Sequence, residues 1–380
     1  MFLLNEDREL ILHSIKSLLD GINPYAPDEE AIEDYTFKLI NKLYEEDYFS
    51  MAIPEQYQGA DLEYVSAMLI LKEIAKIDAG IAHILGAHSY GFCRLLRNFG
   101  SKELQDKVFW KMKEEKKIGT FALTEPNGSN LGNLELQAKR VENGYVLNGT
   151  KAMVTYGRQA DYAMIFGLVG KQNYTIFLCP LKKQKGITFG KVEKTMGMES
   201  AQIAEINFED YFLSYEYRLG EEGQGIEIMC DMLAISRITN GAIALGLAEK
   251  AVDLGIGYTK ERRLNGRPLI EHINIKFTLA EAYSRLSSIQ LIVMNAAEHA
   301  NEKCDLFEAS IVKYEATEAA KKICDSMMQM HGGNGYLTEY EIERLYRDVR
   351  LHTIVGGSSE LLLDLIGNCI IEEYEQLVQE

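Results

Sequence analysis

The spacing of apolar residues changes twice along this chain of 380 residues, from helical to alternating near residue 117 and back to helical near residue 225. Neither a helical bundle nor a single sheet accommodates both periods, so the chain divides into three regions. In the first, 1–116, Glu9 to Leu19, Ala31 to Tyr44 and Val65 to Ile77 predict helices. Pro24, Pro27 and Pro54 fall between them, where a lost backbone donor costs least. Gly100 followed by Ser101 predicts a helix stop and a new N-cap. In the second region, 117–224, Leu134 to Lys139 alternates strictly and Asn143-Gly144 makes a tight turn into Tyr145-Val146-Leu147. Asp161 to Leu168, Tyr174 to Leu178 and Ala204 to Phe208 predict further strands. In the third, 225–380, Leu279, Tyr283, Leu286, Ile289, Val293, Ala297 and Ala300 mark one apolar stripe, and residues 226–256 carry another. An antiparallel bundle of four long helices is expected there. The fold class is α+β, with an all-β unit set between two helical ones.

Composition narrows the function by exclusion. With 40 basic against 57 acidic side chains the formal net charge is -17, a surface that repels nucleic-acid phosphates. No apolar run approaches the roughly 20 residues that span a bilayer, so no membrane role is expected. Met1 to Asp7 lacks the basic segment of a secretory signal. The 6 cysteines show no CxxC pairing, which reads as reduced thiols in a cytoplasmic protein without a zinc site or a disulfide framework.

Four stretches are chemically specific. Phe121-Ala122-Leu123-Thr124-Glu125-Pro126-Asn127-Gly128-Ser129-Asn130 puts small residues and hydroxyls at a strand end, where backbone N–H groups can approach a flat ring or a phosphate. Arg262-Arg263-Leu264-Asn265-Gly266-Arg267 closes a long helix and offers a planar fork of donors at Arg262. Gln329-Met330-His331-Gly332-Gly333-Asn334-Gly335-Tyr336 interrupts the C-terminal bundle, and Arg347-Asp348 leads to Ile354-Val355-Gly356-Gly357-Ser358-Ser359-Glu360. In this order and spacing they resemble the acyl-CoA dehydrogenase family of flavoproteins, over essentially the whole chain.

The resemblance implies an N-terminal helical domain, a middle β-barrel-like or orthogonal β-sheet domain and a C-terminal four-helix bundle, with FAD as cofactor. By position, Leu123 and Thr124 would lie against the flavin ring, and Gly128 and Ser129 would line the FAD and acyl entrance. Met153, Val154 and Thr155 match a stretch in which a tryptophan covers the flavin and a threonine approaches N5; here the tryptophan is Met153. Arg262, and the loop containing Gln329, Gly332 and Gly333, match residues that bind the pyrophosphate across a subunit interface. Ser358 and Glu360 match contacts to the adenosine half. Shared sites require at least a homodimer, and a homotetramer is common in the family. An electron-accepting flavoprotein is a possible partner.

The departures from the family are as informative as the matches. Its catalytic glutamate precedes a Gly-Thr/Ser pair in one branch, where this chain has Gly356, and precedes a helical arginine in another, where Ser236 stands before Arg237. An unactivated serine cannot take a weakly acidic C–H proton, so no catalytic residue is assigned; the competing alignment, shifted, would offer Glu360. The Thr-Glu-Pro run is one residue shorter than usual, and an aspartate that contacts pantetheine in the family is Ala234. Arg94, Arg237 and Gly356 are the candidate substrate-side residues. Arg94 reads equally as a clamp for an oxygenated acyl group or as a surface arginine. His331 reads as structural support, and Glu199 and Asp231 as solvated charges. The expected activity is FAD-dependent oxidation of a small polar acyl thioester, on an acyl carrier protein or on CoA, in polyketide or nonribosomal biosynthesis. Alternatives are a flavin monooxygenase, an ordinary short-chain acyl-CoA dehydrogenase with a relocated base, a lyase-type relative, and a catalytically inactive flavin scaffold.

Overall fold

The computed structural model describes residues 4–22, 31–128 and 134–379. The N-terminal helices are α1 (Glu6–Leu19), α2 (Ile32–Glu45), α3 (Tyr64–Ile77), α4 (Ala79–Gly86), α5 (Arg94–Phe99) and α6 (Lys102–Glu115). Four of the six starts have a local cause: Asn5, Glu63, Asp78 and Ser101 accept hydrogen bonds from the first-turn amides of α1, α3, α4 and α6. Helix α3 is buried from Val65 to Ala75. Its two buried charges are matched, since Lys72 pairs with Glu73 and with Glu249.

Between α4 and α5 the helix widens into a π-helical turn, Ala87–Cys93. His88 ties it down: Nε2–H donates to the Phe49 carbonyl at 2.8 Å, and Nδ1 accepts from the Gly119 N–H at 3.1 Å. Gly91 faces the Phe121 ring and Gly119 faces the Phe92 ring so closely that a Cβ on either would clash. The helical and β regions therefore meet almost backbone to ring.

The sheet comprises β1 (Gly119–Ala122), β2 (Gln137–Val141), β3 (Gly144–Val154), β4 (Tyr162–Val169), β5 (Asn173–Pro180), β6 (Ile187–Phe189), β7 (Ala204–Ser214) and β8 (Arg218–Leu219), in the order β6-β7-β3-β2-β4-β5-β8 with β1 parallel to β4. Asn143, at φ 71, turns β2 into β3. The strand expected from Leu134 begins only at Gln137. The amides of Glu135 and Leu136 go instead to the Glu125 carboxylate, at 2.5 and 3.0 Å.

Helix α7 (Gly225–Glu261) runs 37 residues, followed by the hairpin β9 (Arg263–Leu264) and β10 (Arg267–Pro268), then α8 (Ile273–Ala300), α9 (Leu306–His331), α10 (Ile342–His352) and α11 (Ser359–Gln379). By length and composition α7 alone among the described helices could cross a bilayer, contrary to the expectation that no such run exists, but 83% of its apolar window is buried inside the protein. Helices α3, α8 and α9 cover it, and it is apolar because it is the central rod of the core. The predicted stripe on α8 is buried from Leu286 to Ala300, but Tyr283 is exposed together with Ile273 and Phe277.

Candidate active site

The end of β1 and the end of β3 bring the flavin-side residues together. The Ala152 N–H donates to the Thr124 carbonyl at 2.9 Å, and Thr120 Oγ1 donates to the Thr155 carbonyl at 2.8 Å. Leu123, Val154 and Thr155 are buried, Thr124 is half-buried, and Met153, at φ 54, is exposed on the lip. Beneath them lies an ion pair that sequence reasoning missed. Lys151 Nζ, with 0% exposure, donates to the Leu123 carbonyl at 3.0 Å and to Glu125 Oε1 at 2.7 Å. Burial pulls the ammonium down to about 8, with Glu125 acting against it. The signal was present: Lys151 occupies an inward position of an alternating strand.

The residues expected on the acyl side gather around the turn between α10 and α11. Gly356 and Gly357 take φ values of 70 and 103, a backbone that L side chains rarely adopt. Two buried cations grip their carbonyls: Arg237 Nε donates to Gly356 at 3.1 Å and Lys313 Nζ to Gly357 at 2.6 Å. Arg237 Nη1 also donates to Ser310 Oγ at 2.6 Å. Burial holds Arg237 down at about 10 and Lys313 at about 8, and the Arg237 charge adds to the latter. Arg237 thus holds the turn. Asn240 lies one turn along α7 from Ser236, to whose carbonyl its Nδ2 donates at 2.8 Å.

Several expectations need correction. Arg94 is neither a free clamp nor a surface side chain: it is 8% exposed, its Nε donates to the Tyr64 hydroxyl at 2.7 Å, and both terminal nitrogens bond Asp231. Burial opposes its charge, and Asp231 and Tyr64 together more than restore it. Asp231 and Glu199 are correspondingly not solvated charges, since Glu199 pairs with Arg347. Glu360 is exposed in the first turn of α11, beyond the glycine turn, where the shifted alignment would have needed it as a base. Ser358 Oγ caps that helix by accepting from the Leu361 N–H. His331 is buried against Tyr258, ring centroids 4.3 Å apart, and its Nδ1–H donates to the Met327 carbonyl at 2.7 Å. Gln329, Gly332 and Gly333 are exposed at the end of α9, and Arg262 is exposed at the end of α7, away from the glycine turn. Ser129 lies outside the described residues.

The residues present fit a large planar cofactor with phosphates. A Cβ at Gly128, Gly332 or Gly333 would meet no heavy atom within 4 Å, which leaves backbone free to approach a ligand. The exposed guanidinium of Arg262 is of the kind a pyrophosphate takes.

Comparison with known proteins gives three matching family models: acyl-CoA dehydrogenase N-terminal domain over residues 5–116, middle domain over 120–211 and C-terminal domain over 223–371. An acyl-CoA dehydrogenase of Bacillus subtilis (strain 168) is 33% identical over 346 residues, covering 90% of this chain and 91% of that protein. The structure of butyryl-CoA dehydrogenase from Megasphaera elsdenii superposes with a TM-score of 0.90 at 29% identity, covering 98% of this chain and 100% of that one. The structure of a prolyl acyl carrier protein oxidase superposes with a TM-score of 0.89 at 26% identity, covering 97% and 100%.

Proposed function

The chain belongs to the acyl-CoA dehydrogenase family and is an FAD-dependent oxidoreductase; from that premise we propose that it oxidises a small polar acyl group, held as a thioester on the phosphopantetheine of an acyl carrier protein, without a carboxylate base. The observation that carries this reading is Gly356. The resemblance puts the base there or at Ser236, neither residue can accept a C–H proton, and the turn is gripped by cations. The likeness to the prolyl acyl carrier protein oxidase supports a carrier-bound substrate.

A hydrated aldehyde suits such a site, because the proton it sheds comes from an O–H and water accepts it. When bound, FAD supplies the hydride acceptor, so the C–H hydrogen leaves with its electron pair and a carboxylic acid remains. Leu123, Thr124, Met153, Val154 and Thr155 would hold the ring. Arg262, Gln329, Gly332 and Gly333 would serve the pyrophosphate of a second copy, with Ser358 and Glu360 at the adenosine half. The exposed Leu264 on the hairpin after Arg262, with Phe277 and Tyr283 exposed on α8, support a homodimer or homotetramer. An electron-transferring flavoprotein is the candidate reoxidant.

A second reading, short-chain acyl-CoA oxidation, is favoured by the likeness to butyryl-CoA dehydrogenase. Anaerobic absorbance of the purified flavoprotein separates the two. Bleaching by an oxygenated acyl group on a carrier protein, and not by butyryl-CoA, is expected; bleaching by butyryl-CoA sinks the proposal.

A further inference from the structure

The chain passes one end of the sheet three times, and each time it carries cations. Lys116 and Lys117 precede β1, Arg158 precedes β4, and Lys182, Lys183 and Lys185 follow β5. The pairing of Gly119 with Tyr162, and of Tyr162 with Pro180, brings the three stretches side by side. Basic residues thus gather on one face of a chain whose formal net charge is -17.

The protein answers few of these charges itself. Lys116 reaches Glu45 at 3.6 Å, and Lys117 reaches Asp161 at 3.2 Å and Glu115 at 3.7 Å. Arg158, Lys183 and Lys185 are exposed and have no ion pair among the described residues. Lys182 Nζ donates to the Arg158 carbonyl at 2.8 Å. Partial desolvation, with the charges of Lys117 and Arg158, holds Lys182 below its ordinary value against the pull of Asp161.

A cleft of about 520 Å³ opens beside the cations. Lys116, Arg158 and Lys182 line it with Tyr156 and Phe37, and its carboxylates are Glu33 and the already paired Asp161. Phe37 is 60% exposed. Tyr156 follows Thr155 directly, and Met153 is exposed on the same lip, so the cleft abuts the strand ends assigned to the flavin. An exposed apolar anchor among unpaired like charges suits a protein partner of the opposite charge.

We propose that this face, with Lys116, Lys117, Arg158, Lys182, Lys183 and Lys185 beside Phe37, is the docking surface for an electron-carrier protein whose own contact face is acidic. This rests on the placement of the flavin ring against Thr155 and names where its electrons leave. Two electrons pass from the reduced flavin, one to each of two oxidised carriers, and its protons go to water.

Stopped-flow reoxidation of the anaerobic holoenzyme tests it, with dithionite as reductant so that no acyl group takes part. The acceptors are ferricyanide and ferric cytochrome b5, a small anion and an acidic one-electron protein. Both rates are expected to fall about 10-fold as sodium chloride rises from about 20 to about 500 mM, although the net charge of the chain alone demands a rise. A rise for both overturns the inference. A fall for ferricyanide alone marks a site for small anions and also overturns it. The double variant Lys183→Glu/Lys185→Glu, on an exposed loop, should abolish the fall at unchanged FAD content, and a fall that survives it counts against the surface. Met153→Trp should shift the flavin absorbance. An unchanged spectrum removes the flavin placement and the inference with it, whereas a shifted spectrum with rising rates removes the docking surface alone. The polar-acyl reading stands in either case.

Discussion

Lys151 beneath the ends of β1 and β3 and Arg237 with Lys313 behind the glycine turn are buried alike, yet their charges are handled differently. Lys151 has a carboxylate, Glu125, whose two oxygens also accept from the Glu135 and Leu136 amides, so that region is close to neutral within itself. Arg237 and Lys313 have carbonyls and a hydroxyl, so the region behind the glycine turn carries its positive charge on dipoles. The first arrangement locks two strand ends together and depends on both partners. The second pins a two-glycine turn and can lose one member at a time.

The sharpest way to break that contrast is to remove half of the matched pair. Glu125→Ala strands a buried ammonium and two amides, and should cost about 3–5 kcal/mol together with much of the bound FAD, read by thermal unfolding and by the flavin-to-protein absorbance ratio. Arg237→Met should cost less, about 1.5–3 kcal/mol, and should weaken thioester binding while FAD is retained. If it sheds FAD as readily as Glu125→Ala does, the two regions are one unit and the contrast fails. Gly356→Ala should cost about 1 kcal/mol by forcing a side chain to φ 70, seen as a lower melting temperature. Gly356→Glu meets the same strain and should yield no α,β-desaturation of butyryl-CoA. A large gain there would show that the turn still presents a base position. A further test is in pH. Lys313 titrates near 8 when folded and near its ordinary value of 10.5 when unfolded. Between those values the unfolded chain binds more protons, so stability should rise with pH across the window. Lys313→Met should flatten part of that rise in denaturant midpoints measured from pH 7 to 10.5, with the rest expected from Lys151, which behaves in the same sense.

Why some of this was legible in the sequence and some was not follows from distance along the chain. The helical, alternating and helical periods are local signals, and they gave the α+β order and most elements to within a few residues. Leu134 to Leu136 misled because a carboxylate ten residues upstream takes their amides, and alternation says nothing of that. Arg94 could not be placed because Asp231 is 137 positions away. The basic face at Lys117, Arg158 and Lys182 requires three separate stretches to meet at one sheet end before it exists. Arg237 and Asn240 were visible in principle as polar residues on an otherwise apolar helix, and Lys151 by sharing strand parity with Tyr145 and Leu147, but only Arg237 stood in a recognisable motif.

Helix α7 carries Ser236, Arg237 and Asn240 in its first half and ends at Arg262. At about 1.5 Å per residue the two ends of that interval lie roughly 38 Å apart on one rod. Inserting a single residue between them would swing one end by about 100° relative to the other. The helix is therefore a ruler as much as a core element. Its length sets the distance and angle between the glycine turn that Arg237 holds and the exposed Arg262, and loops elsewhere can change length far more freely than this segment can.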